Sequence, residues 1–421
     1  MTDGRAYLRL VLLGALVGIP AAITGALFLG LIHEFQHVLW TDLPDALGES
    51  SPPWYLVLGL PVVGAALVIA ARKLLPGDGG HEPLDGLSTE PTPMSHAPGV
   101  LLAATGTLAF GAVLGPEAPV IALGAVAALA VTSIASLSER EGRVLGLAGS
   151  FSAISALFGG PLVAGVMMVE AGVGLGAALL PTLLPGFVAA AIGYLIFIGF
   201  GDWGGLDAPG LTVPNLPAYD GKQVLDLVAA LVVGVTVAVV IWGVRYLAKR
   251  MRERERGIGM TPALLSGGLA VGAIALLAEW LGADSQDVLF SGQTSIPTLV
   301  TDESTGIVLL LLVAKAIAYA VSLACGFRGG PIFPAVFLGI GIAALPVVWF
   351  DASPTLAIAI GAAAGMAAQA RLILTSMLFA TLLVGTPGID AVPAAVIAAV
   401  AAWITIMALD PPPKPAAEAA G

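Results

Sequence analysis

Charged side chains are scarce in this chain of 421 residues. Asp, Glu, Lys and Arg together make up 11% of it, whereas about 25% is usual in soluble domains. Apolar residues make up 58% of the sequence instead. This composition excludes an ordinary soluble globular protein and predicts an all-α integral membrane protein.

Cysteine and histidine are also rare. The single cysteine, Cys325, excludes an intrachain disulfide and a cysteine-rich metal site. His81 has no ligand spacing to the other three histidines, and for His33 and His37, four residues apart, we expect an interfacial position rather than metal binding. No nucleophile, base and metal stand together outside the apolar runs. We therefore expect no enzyme activity, no cofactor and no bound metal. The net charge of −11 gives no signal for nucleic acid binding.

The chain is rich in apolar runs that glycine and proline interrupt. Non-helical backbone at membrane depth is tolerated only where protein or a cavity surrounds it, so the breaks should mark the functional region. Helices should therefore outnumber the runs. Eleven runs are long enough to span a membrane or to form shorter re-entrant pieces: 7–39, 54–75, 99–135, 143–170, 174–201, 223–248, 261–282, 306–325, 331–350, 355–386 and 391–409.

Lys and Arg near the ends of the runs predict the orientation. They flank the first run and follow the run at 223–248 as a basic loop over 249–256, whereas the linkers at 41–51 and 202–221 have none. Because basic residues favour the cytoplasmic side, we expect a multi-pass protein of the cell membrane with its N-terminus in the cytoplasm.

A sequence repeat divides the chain. Four residues of the stretch at 110–124 recur 215 positions later: Gly115, Pro119, Leu123 and Gly124 match Gly330, Pro334, Leu338 and Gly339. Two inverted transmembrane halves are predicted, over 1–222 and 223–410, with a disordered tail over 411–421. In transporters of this plan, interrupted helices from both halves meet near the midplane and point their N-termini at an anion.

Glu117 is the one carboxylate within the first repeated stretch, in GPEAP. A charge at that depth costs at least ~2.5 kcal/mol, so Glu117 should face a watery pathway or a partner. As a residue of the first helical turn, it is either a gate that leaves an anion site when protonated, or only a cap of its helix. The predicted anion site around it comprises Gly80, Gly115, Pro116, Ala118, Gly330, Ile332 and Phe333.

Two further residues have two interpretations each. Arg328, in GFRGG, either attracts anions at a pore entrance or reaches from the membrane interface to water. Glu82, in GGHEP, lies either in a surface loop with Asp78 and Asp85 in water, or at another half-helix N-terminus beside the site.

Glu170 ends the stretch FGGPLVAGVMMVE. It is either a proton relay or a helix-end glutamate in contact with water. Lys315 and Arg371 are isolated cations in apolar runs, and each needs a partner or a route to the interface.

The order of these broken segments resembles the CLC chloride channel and transporter family over nearly all of residues 7–409. GPEAP resembles the G[KR]EGP motif of that family, GFRGGPIFP its GxFxP region, GGHEP its GSGIP region, and FGGPLVAGVMMVE the helix that begins with its NAPLAG-type sequence. The resemblance implies that Glu117 is the gate and that the protein is a homodimer with one pore per subunit.

Several positions depart from the family pattern. The serine that coordinates the anion falls on Gly80, and the first of two backbone donors falls on Pro331, which leaves Ile332. The proton-loading glutamate of coupled members falls on Ala171, one place after Glu170. The pore-lining tyrosine of a final helix and the cytosolic CBS domains have no counterpart before the chain ends in PPPKPAAEAAG.

We therefore expect transport of a small inorganic anion, chloride by default, that is gated by protonation of Glu117 and uncoupled or weakly coupled to protons. Two alternatives stay open. One is an obligate H⁺/Cl⁻ exchanger that uses Glu170 or Glu82 as its relay. The other is a transporter of the same fold with changed selectivity, for fluoride, another ion or a small metabolite. Membrane lipid and a second copy of the chain are the expected partners.

Overall fold

The structure, a computed structural model, describes residues 4–86, 90–133, 137–172, 180–204, 213–221, 224–255, 257–296, 299, 304–350 and 352–411. Residues 222 and 223, where the predicted halves join, lie outside the described residues. All of the predicted tail after residue 411 also lies outside them.

Fourteen α-helices of eleven or more residues lie in the described ranges. They are α1 (Gly4–His37), α2 (Trp54–Leu74), α3 (Ala97–Leu108), α4 (Glu117–Thr132), α5 (Glu139–Leu157), α6 (Pro161–Ala171), α7 (Leu180–Gly204), α8 (Val224–Glu255), α9 (Met260–Trp280), α10 (Thr305–Ala324), α11 (Ile332–Phe350), α12 (Pro354–Ala370), α13 (Ile373–Val384) and α14 (Val392–Leu409). Shorter helical turns cover Val38–Asp42, Leu43–Ala46, Pro83–Asp85, Met94–His96, Ser285–Val288 and Thr386–Ala391.

The helices outnumber the predicted apolar runs because three of the runs break. The run at 99–135 divides into α3 and α4, the run at 143–170 into α5 and α6, and the run at 355–386 into α12 and α13. Gly159 stands at the second break with φ +75°, a left-handed conformation that favours glycine. Pro161 then begins α6, where its missing N–H costs no helical hydrogen bond.

The helices form two sets of seven that pack in the same way. In the first set α4 packs on α5, α5 on α7 and α7 on α1; in the second, α11 packs on α12, α12 on α14 and α14 on α8. Glu117 and Ile332 begin equivalent helices 215 positions apart, as do Glu139 and Pro354. Equivalent helices α2 and α9 also pack against each other.

The repeated glycines Gly124 and Gly339 allow close helix packing in both sets. A Cβ at Gly124 would lie 2.7 Å from the carbonyl oxygen of Gly149 in α5. A Cβ at Gly361 in α12 would lie 2.6 Å from the carbonyl oxygen of Gly339. Small residues at such contacts let helix backbones approach within a membrane, so the repeat preserves one packing contact twice.

Seven helical segments in the described residues are long and apolar enough to cross a membrane. Their outward faces carry apolar side chains, such as Leu195, Leu225 and Val232. In contrast, every residue of α12 from Thr355 to Gln369 is buried. Because apolar residues face both outward and inward, the architecture is that of an all-α integral membrane protein.

The basic run after residue 248 is helical rather than the predicted loop. Helix α8 continues to Glu255, so Lys249, Arg250 and Arg252 extend it. Arg and Glu are good helix formers, and Arg250 lies 3.8 Å from Glu253 at the i,i+3 spacing. Local helix propensity therefore outweighs the loop that the charge run suggested.

Candidate functional site

Gly115 and Gly330, which the repeat predicts to be equivalent, pair with each other. The N–H of Gly115 donates to the carbonyl oxygen of Gly330 at 2.7 Å, and the N–H of Gly330 donates to the carbonyl oxygen of Gly115 at 2.6 Å. The two residues run antiparallel, as expected where a local two-fold axis passes between repeats. The pairing places the N-terminus of α4, after Pro116, beside that of α11, and helix N-termini favour anions.

Glu117 is fully buried at this junction. Its Oε1 accepts a hydrogen bond of 2.8 Å from the N–H of Phe333, in the first turn of α11. Its Oε2 has no hydrogen-bond partner among the residues that the structure describes, and a Cβ at Gly115 or Gly330 would overlap this oxygen. The carboxylate therefore occupies an anion site that has room for it because Gly115 and Gly330 have no side chain.

An aromatic cluster packs beside Phe333. The ring of Phe158, at the break between α5 and α6, stacks on that of Phe333 with centroids 5.5 Å apart. Phe379 of α13 packs edge-on against both rings. The sequence interpretation missed this cluster, although Phe158 stands directly before a Gly-Gly-Pro break that marks a site.

Tyr319 of α10 is a second residue that the sequence interpretation missed. Its hydroxyl donates to the carbonyl oxygen of Pro331 at 2.6 Å, and its side chain is fully buried. Pro331 has no N–H to offer an anion, so the structure uses its carbonyl to fix the start of α11. A tyrosine alone in the apolar run AIAYAVS was the available signal, because buried tyrosine hydroxyls usually find a partner.

Gly80, Ala118 and Arg328, three of the predicted site residues, come together around a cavity of about 10 Å³. That volume suits roughly one water-sized occupant. Gly80 has φ +102°, a left-handed conformation that a serine would adopt only with strain. The other lining residues are Gly79, His81, Val100, Pro119, Ala122 and Gly329.

Arg328 is buried and held by the segment before Pro83. It forms an ion pair with the Asp78 carboxylate, and its Nε donates to the Asp78 carbonyl oxygen at 3.0 Å. Its Nη1 lies 3.4 Å from Glu82 Oε1, and its backbone N–H donates to Thr107 Oγ1 at 3.1 Å. The guanidinium is thus buried and paired on the wall of the cavity.

Asp78, which one of the two interpretations places in water, is 56% exposed and also pairs with two arginines. Arg72 Nε lies 2.9 Å from its Oδ1, and Arg328 contacts its Oδ2. Partial burial would raise the pKa of Asp78, but the hydrogen bond from Arg72 and the charges of Arg328 and Arg72 hold it below its usual value. The pattern of the sequence could not reveal this contact, because Asp78 and Arg328 are far apart in the chain.

Glu82 is paired as well, and the half-helix predicted to follow it is wrong for the described residues. Its carboxylate contacts Arg252 of α8 and Arg328. Pro83–Asp85 forms only a three-residue 3-10 turn, and Gly86 follows with φ +86°. The turn is too short to present a helix N-terminus. Glu82 instead joins the 76–85 segment to the end of α8.

Glu170 caps a helix of the second set. Its Oε1 accepts the N–H groups of Ile373 at 3.0 Å and Leu374 at 2.9 Å, and its Oε2 accepts the N–H of Thr375 at 2.8 Å and the hydroxyl of the same residue. These N–H groups have no partner within the first turn of α13. The end of α6 is thereby fastened to α13.

Both isolated cations have partners, as expected. Lys315 is fully buried and donates to the carbonyl oxygens of Asp287 at 2.8 Å and Leu289 at 2.9 Å. Arg371 Nη2 lies 2.7 Å from Asp410 Oδ2.

The chain is similar to known transport proteins. The family model described as "Voltage gated chloride channel" matches residues 76–406. Two relatives named "Putative ion-transport protein YfeO", from Escherichia coli O1:K1 / APEC and Escherichia coli O45:K1 (strain S88 / ExPEC), are each 30% identical over 351 residues. Each match covers 80% of this chain and 79% of the relative.

Solved structures share the fold. A slow cyanobacterial Cl⁻/H⁺ antiporter matches with a TM-score of 0.78 and 16% identity, over 96% of both chains. A CLC-type fluoride/proton antiporter matches with a TM-score of 0.73 and 20% identity, over 96% of both chains. A eukaryotic CLC transporter matches with a TM-score of 0.67 and 18% identity, over 97% of this chain and 73% of the other. Because the family model covers most of the chain, this protein belongs to the voltage gated chloride channel family, the CLC family.

Proposed function

We propose that this protein moves a small inorganic anion, chloride by default, through a pathway that protonation of Glu117 opens. The supporting observation is the position of the Glu117 carboxylate, which binds the N–H of Phe333 at the start of α11 as a free anion would. Protonation removes the charge that this helix N-terminus favours. The side chain then leaves, and an anion takes its place.

We propose further that this transport is uncoupled or only weakly coupled to protons. Ala171 stands where the resemblance implies a proton-loading glutamate. The neighbouring Glu170 accepts hydrogen bonds from three backbone N–H groups of α13. A carboxylate held in this way serves as a helix cap, because these N–H groups have no acceptor within the helix itself.

Anion efflux from liposomes, with chloride and external pH recorded together, tests the gate. We expect the Glu117→Gln variant to conduct the anion at a rate that no longer varies with pH, because glutamine cannot titrate. Glu139→Gln is the matched control, since Glu139 is 88% exposed and pairs with Arg143 at the protein surface. Unchanged pH dependence in Glu117→Gln would reject the gate.

Obligate H⁺/Cl⁻ exchange is the second candidate, and the similarity to two antiporter structures favours it. Glu170 or Glu82 would then relay the proton. A relay at Glu170 predicts that Glu170→Gln abolishes uphill proton movement and leaves chloride flux intact. If Glu170 only caps α13, the variant lowers thermal stability and leaves the ratio of proton to chloride flux unchanged.

Changed selectivity is the third candidate, for fluoride, another ion or a small metabolite. Gly80 supplies no hydroxyl ligand, and the cavity beside it has a volume of only about 10 Å³. A cavity of that volume holds about one water-sized occupant, and fluoride is smaller than chloride. The ion pairs of Glu82 with Arg252 and Arg328 weigh against a cation site there. Efflux of fluoride and chloride, compared in the same vesicles, decides between the two anions.

We also propose the arrangement of the chain in the membrane. Residues 1–222 and 223–410 form inverted halves. The protein lies in the cell membrane with its N-terminus in the cytoplasm, and two copies form a homodimer within the lipid. Labelling of cysteines introduced at the two ends of α1 tests the orientation. The mass of the purified protein, without the contribution of bound detergent, tests the dimer.

A further inference from the structure

Three cations converge on one carboxylate at the end of α14. Arg371 Nη2 lies 2.7 Å from Asp410 Oδ2, Lys249 Nζ lies 3.0 Å from Oδ1, and Arg245 Nε lies 3.4 Å from Oδ2. In the described part of the chain, Asp410 is the one carboxylate that pairs with any of the three. Among the described residues, two of the three positive charges therefore have no counter-charge.

This excess distinguishes the Asp410 cluster from the ion pairs near the cavity. There, three cations meet three carboxylates: Arg72, Arg252 and Arg328 with Asp78, Glu82 and Asp85. A balanced network suffices to fasten segments together. An unbalanced one retains a positive field that draws anions.

The Asp410 cluster is partly withdrawn from water. The side chains of Arg245, Arg371 and Asp410 are 10%, 22% and 21% exposed, whereas that of Lys249 is 48% exposed. Burial alone would raise the pKa of Asp410, but the hydrogen bond from Lys249 and the charges of Arg245, Lys249 and Arg371 hold it below its usual value. The carboxylate is thus a charged anion held among cations.

The backbone of Arg371 gives a second, independent observation. Arg371 ends α12 in a left-handed conformation, with φ 60° and ψ 25°, which glycine or asparagine adopts at lower cost. Its carbonyl oxygen accepts a hydrogen bond of 3.1 Å from Trp403 Nε1. The carbonyl contact and the ion pair with Asp410 thus hold both the backbone and the side chain of Arg371.

Packed helices connect the Asp410 cluster to the gate. Arg245 lies on α8, which packs on α10 and α11. Tyr319 of α10 donates its hydroxyl to the carbonyl oxygen of Pro331, at the start of α11. The cations of the cluster are therefore joined through α8 and α10 to the helix N-terminus where Glu117 lies.

We propose that Arg245, Lys249 and Arg371 form an entry site for the transported anion, which Asp410 occupies as a tethered competitor. The proposal rests on the proposed function. Its ligand is a small inorganic anion, a halide or an oxyanion. Asp410 would do at the entry site what Glu117 does at the gate, since each places a carboxylate of the chain where a free anion binds.

Two substitutions, one that removes a negative charge and one that removes a positive charge, test the entry site in the flux assay at low ionic strength. Asp410→Asn removes the competitor, so it should lower the half-saturating anion concentration, on the order of 2- to 10-fold. Lys249→Gln removes a cation and should raise that concentration by a similar factor. Both shifts should shrink when an impermeant salt raises the ionic strength. Arg250→Gln is the control, because Arg250 is 62% exposed on the same helix and pairs with Glu253 instead.

Each other outcome overturns the entry site. If the ion pairs only stabilise the fold, both substitutions lower flux and thermal stability together. If a lipid headgroup is the ligand, the shifts occur only in vesicles that contain anionic phospholipid.

Calorimetric titration of sodium bromide into the same purified variants separates this proposal from the proposed function. Tighter bromide binding in Asp410→Asn and weaker binding in Lys249→Gln, without flux in any variant, would retain the anion site and reject transport. Flux in the wild type without the opposite shifts would retain transport and reject the entry site.

Discussion

The space that Glu117 occupies exists because two neighbouring residues have no side chain. Its Oε2 lies against Gly115 and Gly330, where a Cβ would overlap it. The remaining oxygen faces the N–H of Phe333. One added methyl group would therefore compete directly with the carboxylate for the anion site.

Gly330→Ala should displace the Glu117 carboxylate or shift the start of α11, at a cost of about 1–3 kcal/mol. We expect a lower thermal midpoint and an anion flux that depends less on pH, because the displaced carboxylate no longer blocks the site. Gly243→Ala is the control, since a Cβ there meets nothing within 4 Å. Thermal melting and efflux measure both effects.

A double substitution identifies the group that the new methyl meets. In a Glu117→Gly background, Gly330→Ala should cost little, because the overlapping side chain is gone. An equal loss of stability in both backgrounds would contradict the role assigned to the carboxylate.

Among single residues, the sequence predicted those whose type differs from the pattern around them. Glu117 is a charge in an apolar stretch, and Gly330 and Phe333 stand in its repeat. The partners of Arg328 could not be predicted, because no periodicity relates Asp78 to a position 250 residues later. Tyr319 was missed for a different reason, since its partner is a backbone carbonyl, which no residue type marks in the sequence.

Contacts between broken elements hold the site in place. Arg72 at the end of α2, Asp78 in the following segment and Arg328 before α11 form one ion-pair network. Glu170 at the end of α6 caps α13. The sequence predicted the breaks from glycine and proline, but it did not predict which ends meet, because that depends on the packing of distant helices.

The stability that Asp78 contributes should depend on pH. Its pKa in the folded protein is held below its usual value, so its contribution is complete above the unfolded pKa of about 3.9 and is lost as the pH falls through the folded pKa. The thermal midpoint of Asp78→Asn should therefore lie below that of the wild type near neutral pH, and the difference should narrow in acid.

Asp45→Asn provides the comparison for this pH series, since Asp45 is exposed on a short helical turn. Its midpoint should follow the wild type at every pH. A difference between wild type and Asp78→Asn that stays constant into acid would mean that the ion pairs with Arg72 and Arg328 contribute nothing to stability.

The whole molecule is held together by contacts between its two sets of helices. Gly115 pairs with Gly330, α2 packs on α9, and Glu170 caps α13. The class of fold was predictable because composition, apolar runs and the repeat all indicate the same architecture. The packing partners were not, since apolar surfaces in a membrane carry little information about which helix covers them.

If the proposed halves are the units of the fold, residues 1–222 and 223–421 should assemble when they are expressed as two chains. We expect an affinity tag on the first chain to retain the second, because the contacts between the halves need no covalent link. Each chain alone should aggregate, since Glu117 and the faces of α2 or α9 would be uncovered.

A cut after residue 148, inside α5, is the control, because it divides a helix that packs on α1, α4 and α7. Fragments cut there should not assemble. Failure of the 1–222 and 223–421 chains to copurify, while the intact chain is stable, would place the boundary of the halves elsewhere.

The pairing of Gly115 with Gly330 also constrains how the protein is made. The ribosome must add 215 residues after Gly115 before its partner exists. Until then, the N–H and the carbonyl oxygen of Gly115 lack their hydrogen bonds to Gly330, and Glu117 lacks the hydrogen bond from the N–H of Phe333. An unsatisfied backbone group costs several kcal/mol in a lipid environment. The newly inserted first half must therefore keep this segment hydrated or covered by another protein, and the gate is completed only late in synthesis.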